Sequence, residues 1–499
     1  MRNDPHAKAP VVSVLVAWSR RDFLRTGGTA AMTLGLGRAG AWAQPPGPGD
    51  VPSPFLGFER EIEKFMSARK VPGAALAVVK DGRLVYTRGY GWADRESKVA
   101  VKPTSLFRIA SISKPFTAVA VLKLVEAGKL DLNAHVFDLL ASRPDALRFD
   151  QANQDVRWRQ ITVRHLLQHT GGWDRDKSFD PMFRPRAIAK AFGIASPPTP
   201  RVIIRYMLGQ PLDFDPGTRY AYSNFGYCVL GRIIEKIGGT SYEKFVQEKV
   251  LAPIGVRRMR IGASLEGNRV QGEVRYYMRQ DDLAESVFDD SPSSGFPSDA
   301  QRGGNTSNPP LAPPKEGSNR AHATVQVPSR EGQGVGSVTE DIAAGKQVPW
   351  PYGGFCLESM DAHGGWIASA VDLARFAAGL HDPQHSPLLK PKSLQIMHAP
   401  PEPPVSRNSD GTLKDHYYGC GWLARPVGQD GGTNYWHTGS LPGTSTLLVR
   451  RHDGVSWMIL FNQRSDDDNL PDGEIDAALH RAANAVTDWP KNDLFRQYQ

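Results

Sequence analysis

Apolar residues recur at helical spacing through Phe58, Ile62, Phe65 and Met66 until Pro72-Gly73 ends the pattern, which predicts an amphipathic helix. Residues 74–80 and 83–89 then form two β-prone runs around Asp81-Gly82, a strong short-range hairpin signal. The far end of the chain repeats this arrangement. Residues 444–450 and 455–462 flank Asp453-Gly454, and residues 476–486 return to helical spacing through Ala478, Leu479, Ala482, Ala483 and Val486. Both hairpins are most simply buried in one antiparallel sheet built from the two chain ends, with the first and last helices across a face. The middle of the chain supplies helices over residues 115–127, 162–169, 225–237 and 370–380, the first three stopped by Gly128, Gly171-Gly172 and Gly238-Gly239. The predicted fold class is therefore α+β, with that sheet, flanking terminal helices and a mainly helical second lobe. Between Ile254 and Trp350 the periodicity fades, and residues 291–336 are dense in Pro, Gly, Ser and Asn, which predicts a flexible insertion at about residues 257–349.

Composition fits a globular protein, with 40% hydrophobic and 22% charged residues. The formal net charge is +8, but half of that excess sits in residues 1–43. The remainder carries no Lys/Arg block or basic stripe interleaved with aromatics, so nucleic acid is not an expected partner. Residues 1–43 themselves resemble a twin-arginine export signal: Ser19-Arg20-Arg21-Asp22-Phe23-Leu24-Arg25, a mild apolar stretch, then Ala41-Trp42-Ala43 for cleavage. Residues 44–54 read as a linker and residues 55–490 as the folded domain. No apolar run reaches the ~20 residues of a membrane-spanning helix, and no Cys follows the cleavage site to accept lipid. The expectation is a periplasmic or secreted protein without stable membrane insertion. Cys228, Cys356 and Cys420 are too few and scattered for a disulfide framework and read as buried thiols.

Candidate chemistry begins at Ser111-Ile112-Ser113-Lys114, which leads into an apolar helix. On one helical turn Ser111 and Lys114 share a face, with Cβ atoms about 5–6 Å apart. A serine hydroxyl is a poor nucleophile until a neighbouring base takes its proton, and a lysine there supplies one. The same spacing occurs at Ser67/Lys70 and Ser241/Lys244, which read as a helix end and a helix N-cap. The flanks separate Ser111 from these: Phe107-Arg108-Ile109-Ala110 before and Pro115-Phe116-Thr117-Ala118-Val119-Ala120 after place its Oγ at the buried start of a core helix. A second element is Tyr222-Ser223-Asn224, whose phenol can shuttle a proton and whose amide can orient a substrate carbonyl. The third is His437-Thr438-Gly439-Ser440, read as an edge strand whose glycine admits substrate to the backbone and whose exposed amide can serve an oxyanion.

In this order and with these flanks, the three motifs resemble the serine β-lactamase and penicillin-binding-protein superfamily, closest to its class C-like branch. That branch includes class C β-lactamases, D,D-carboxypeptidases, D-aminopeptidases and family VIII carboxylesterases. Residues 161–172, 365–376 and Tyr418-Gly419-Cys420-Gly421-Trp422 look like the same family. The resemblance implies a β-lactamase/transpeptidase-like fold and an exported serine hydrolase. Ser111 would be the acylated nucleophile, Lys114 and Tyr222 the proton-transfer pair, and Asn224 the contact to the substrate's acyl amide. His437, Thr438, Gly439 and Ser440 would line the substrate, and the backbone N–H groups of Ser111 and Ser440 would form the oxyanion hole. It implies no metal and no organic cofactor. Where β-lactamases of the family usually carry Lys, this chain has His437, which favours an ester or a D-residue amide over a β-lactam. The alternative is a slowly acylating penicillin- or muropeptide-binding protein on the same fold.

Two rival sites are weaker. His165 and His169 lie four apart, as two zinc ligands could, but the adjacent Glu of a His-Glu-x-x-His pattern is absent. A histidine packed against the Gly171-Gly172 turn is the reading preferred here. Gly262-Ala263-Ser264-Leu265-Glu266 breaks the Gly-x-Ser-x-Gly elbow at its last position, which disfavours an α/β-hydrolase.

Overall fold

The two terminal hairpins do meet in one sheet. The computed structural model describes residues 51–141, 155–278, 282–288, 345–427, 431–464 and 472–498; the expected export signal lies outside these. Strand β1 (Gly73–Lys80) turns through Asp81-Gly82 into β2 (Arg83–Asp94), followed by the short β3 (Val99–Ala100). From the other end come β4 (Tyr417–Tyr418), β5 (Leu423–Val427), β6 (Gly432–Leu441), β7 (Thr444–Arg450) and β8 (Val455–Phe461). Their spatial order is β4-β5-β6-β7-β8-β1-β2-β3, antiparallel throughout. The seam joining the chain ends is the β1–β8 pair, in register from Ala74 opposite Phe461 to Lys80 opposite Val455.

Alternation along these strands explains their nearly unbroken apolar sequence, because both faces are covered. Ala74, Leu76, Val78, Trp457, Ile459 and Phe461 pack under helix α1 (Leu56–Arg69) and the last long helix, Asp472–Asn484, meeting Phe58, Ile62, Phe65, Ile475 and Leu479. Ala75, Ala77, Val79, Met458 and Leu460 face the opposite way, into the helical lobe. At the centre of that lobe runs α2 (Ser113–Glu126), buried from Ser113 through Leu122. A helix apolar on every side belongs inside a core. Phe116 on α2 stacks on Phe376 of the helix Ala370–Gly379, with ring centroids 3.9 Å apart. Helix α3 (Asn224–Gly238) packs beside α2, and its N-cap Ser223 accepts from the Gly226 amide at 3.2 Å.

Three expectations need correction. Both flanks of the insertion expected at 257–349 are folded. Arg260–Ile261 pairs with Trp366–Ala368, which pairs with Phe107–Arg108, and Tyr277–Met278 pairs with Gln463–Arg464. Leu283–Glu285 pairs with Gln347–Pro349. Strands this short show no periodicity, although Met259, Val274 and Tyr276 are buried. The polar stretch 291–336 lies outside the described residues. The domain also runs past residue 490: the 3-10 turn Leu494–Tyr498 is held by Arg375, whose guanidinium bonds Phe495 O at 3.0 Å. Finally, the helix expected over residues 162–169 spans only Val163–Leu167, and His169 takes a left-handed backbone with φ +55°.

Candidate active site

Ser111 sits in a tight turn, Ala110–Ile112, that runs directly into α2. Ala110 ahead of it has φ +46°, a left-handed conformation that costs an alanine about 1 kcal/mol and is held by its surroundings. Those surroundings are the sheet. Thr444 Oγ1 donates to Arg108 O at 2.9 Å, and Thr446 Oγ1 donates to Ile109 O at 3.1 Å. A Cβ on Gly439 would come within 2.2 Å of Ile109 O, so the glycine lets β6 close on the serine turn. Residues 437–441 keep the one open edge expected of them, but the glycine's role differs from the expectation. Strand β6 lies between β5 and β7, and the glycine makes room for the chain's own backbone. Pairing with β5 ends at Trp436, so residues 437–441 run past it towards the serine turn.

One turn along α2, the Lys114 side chain is fully buried. Its Nζ donates to Ser111 Oγ at 3.0 Å, to Asn224 Oδ1 at 2.8 Å and to His363 O at 2.9 Å. It also lies 4.6 Å from the centre of the Tyr222 ring, and Arg175 approaches that ring at 4.9 Å. The structure therefore brings Ser111, Lys114, Tyr222 and Asn224, drawn from two separated segments, around one amine. Together with Thr438, Ser440, Arg175, His363 and Arg464, the serine, phenol and amide line a cleft of about 210 Å³.

His437 also lines the cleft but is engaged differently from the expectation that it binds substrate. Its Nδ1 lies 2.6 Å from Thr438 O and its Nε2 2.9 Å from the Tyr418 hydroxyl. A carbonyl only accepts, so Nδ1 carries the proton and Nε2 accepts from Tyr418, leaving no ring proton for a substrate anion. Burial, with Lys114 nearby, pushes its pKa down to about 3, so the ring is neutral.

Sequence reasoning missed several neighbours. His169, expected against the glycine turn, has its buried ring 4.4 Å from those of Tyr222 and Tyr418, and its Nδ1 accepts from the Ser223 amide at 3.2 Å. Burial and the positive charge of Lys114 hold its pKa well below the usual histidine value. His165 engages Thr162 in a capping box instead of sharing a face with His169. Asp180 accepts from Asn224 Nδ2 at 2.7 Å. Its one sequence signal is the Asp180-Pro181 pair, which suits a helix start. The decoy serines fall as expected: Ser67 near the end of α1, and Ser241 as an N-cap accepting from the Lys244 amide. All three cysteines are buried and unbridged.

A family model described as "Beta-lactamase" matches residues 58–481. "Protein flp" of Staphylococcus aureus (strain COL) is 30% identical over 194 residues, which is 39% of this chain and 35% of that protein. The matched stretch thus spans about a third of that curated relative. Among solved structures, the octameric penicillin-binding protein homologue from Pyrococcus abyssi is 23% identical, with a TM-score of 0.57 over 88% of this chain and 80% of its own. A D-stereospecific amidohydrolase from Streptomyces sp. is 21% identical, with a TM-score of 0.55 over 85% of this chain and 98% of its own. These two likenesses establish the shared fold.

Proposed function

We propose that this chain, which belongs to the beta-lactamase family, is an exported serine hydrolase that cleaves an ester or a D-residue amide through an acyl-enzyme on Ser111. The observation that carries this reading is the buried Lys114 amine 3.0 Å from Ser111 Oγ, with the Tyr222 ring against it, beside a cleft. In the cycle, Ser111 Oγ attacks the substrate carbonyl carbon while its proton passes to the Lys114–Tyr222 pair. The backbone N–H groups of Ser111 and Ser440 hold the oxyanion, and the Asn224 amide orients the acyl group. As the carbon–nitrogen or carbon–oxygen bond breaks, Tyr222 returns a proton to the leaving group. Water then adds to the acyl carbon, and Ser111 recovers its proton as the acid departs. A neutral His437 argues for ester or amide substrates ahead of β-lactams, whose carboxylate calls for a cation at that position. Residues 1–43 would direct the protein to the periplasm or exterior and be removed.

The test is steady-state hydrolysis of a p-nitrophenyl ester, a D-aminoacyl anilide and a chromogenic cephalosporin, each with wild type and Ser111→Ala. Sustained turnover of the ester or anilide, lost in Ser111→Ala, supports the proposal. A single stoichiometric burst from wild type would identify a slowly acylating binder instead, and turnover surviving in Ser111→Ala would remove Ser111 from the mechanism.

A further inference from the structure

We propose that Asp180 is a positioning residue that sets which end of the Asn224 amide faces Lys114. The inference rests on the serine-hydrolase reading above. An asparagine side chain has two ends of nearly equal shape, and only its hydrogen-bond partners decide between them. Here Lys114 Nζ donates to Oδ1 at 2.8 Å while Nδ2 donates to Asp180 Oδ2 at 2.7 Å. Reversing the amide would set a donor against the ammonium and an acceptor against the carboxylate, so the two charged groups clamp it from opposite ends.

Asp180 is itself fixed. It is buried, and its other oxygen, Oδ1, accepts from the Met182 amide at 3.0 Å, capping the short turn Pro181–Phe183. It is not among the residues lining the cleft, whereas Asn224 is, so its influence on the reaction passes through Asn224. With the amide locked this way, Nδ2 keeps one proton for a substrate carbonyl, and Lys114 keeps an acceptor that holds it beneath Ser111. Losing the lock would loosen both at once.

The experiment separates capping from positioning. Asp180→Ser keeps a capping oxygen for the Met182 amide but is too short to reach Asn224, and Asp180→Asn keeps that capping oxygen while setting an amide donor against Asn224 Nδ2. On the ester or anilide that wild type turns over, kcat of Asp180→Ser should fall about tenfold to a hundredfold, as expected when reacting groups lose their alignment. Asp180→Asn should lose a comparable factor despite its intact cap, because its amide nitrogen cannot accept from Asn224. In an Asn224→Ala background, Asp180→Ser should cost less than about twofold more, because both act on one lock. Should Asp180→Ser fail to fold, Asn224→Asp sets carboxylate against carboxylate, and adding Asp180→Asn should restore activity over Asn224→Asp alone. The proposal is overturned if Asp180→Ser keeps wild-type kcat, if its effect is undiminished in the Asn224→Ala background, or if the double exchange restores nothing. Ser111→Ala, assayed in parallel, keeps failure of the lock distinct from failure of the hydrolase reading.

Discussion

Gly439 and His437 show how little room the cleft leaves for a changed side chain. A Cβ at residue 439 would meet Ile109 O at 2.2 Å and Thr446 Oγ1 at 2.3 Å. Overpacking of this kind costs about 1–3 kcal/mol. Gly439→Ala should therefore lower the melting temperature and, by pushing β6 off the serine turn, reduce ester turnover by about two orders of magnitude; turnover at the wild-type level would show that the turn tolerates the shift. His437→Phe preserves the ring but removes one partner of the Tyr418 hydroxyl, which keeps its bond to Tyr227, a loss of about 0.5–1.5 kcal/mol that denaturant titration will read. At this scale the sequence was most informative where chemistry followed spacing. Ser111 and Lys114 share a helical turn, and Tyr222 and Asn224 flank an N-cap, so each pair was visible from its neighbours. Asp180, His169 and His363 were not, since they come to the site from short turns and a four-residue helix, Asp361–Gly364, in which no local pattern can show. The engagement of both His437 nitrogens was equally hidden, because Tyr418 arrives from another strand.

The long hairpins and the helices that carry the site were read from the sequence, whereas the helices Pro185–Phe192, Pro200–Leu208 and Pro391–His398 and the shortest strands were not. Both long hairpins and the helices α1, α2 and α3 declared themselves by period and by glycine stops. The two- and three-residue strands flanking the insertion could not, because so few positions define no period. Helix α3 matters most for the chemistry, since its N-cap lies between Tyr222 and Asn224. Ser223→Ala removes the side-chain oxygen that accepts from the Gly226 amide and should cost about 1 kcal/mol. Because the cap fixes residues on both sides, kcat should fall along with the melting temperature. A drop in stability with unchanged kcat would mean that Tyr222 and Asn224 are held from elsewhere.

The whole molecule carries several histidines that are neutral because they are buried. His437 and His398 are pushed down to about 3 from an ordinary 6.5, and His169 and His363 lie well below it. Unfolding lets each take up a proton below pH 6.5 that the folded form refuses. Stability from this source is thus complete above about pH 6.5 and is lost as pH falls towards 3, at about 1.4 kcal/mol per unit of depression. Melting temperatures measured from pH 7 down to pH 4 should decline steadily, and a flat profile would contradict the burial of these rings.

The seam between β1 and β8 has a consequence for how the protein comes into being. The partner of the strand at residues 73–80 is made roughly 375 residues later, about 20 to 75 s further into synthesis at ordinary ribosomal speeds. Throughout that interval the amino-terminal hairpin presents an unsatisfied backbone margin to every nascent neighbour, an invitation to improper pairing. Fragments released early by a premature stop should consequently clump rather than linger as soluble half-proteins.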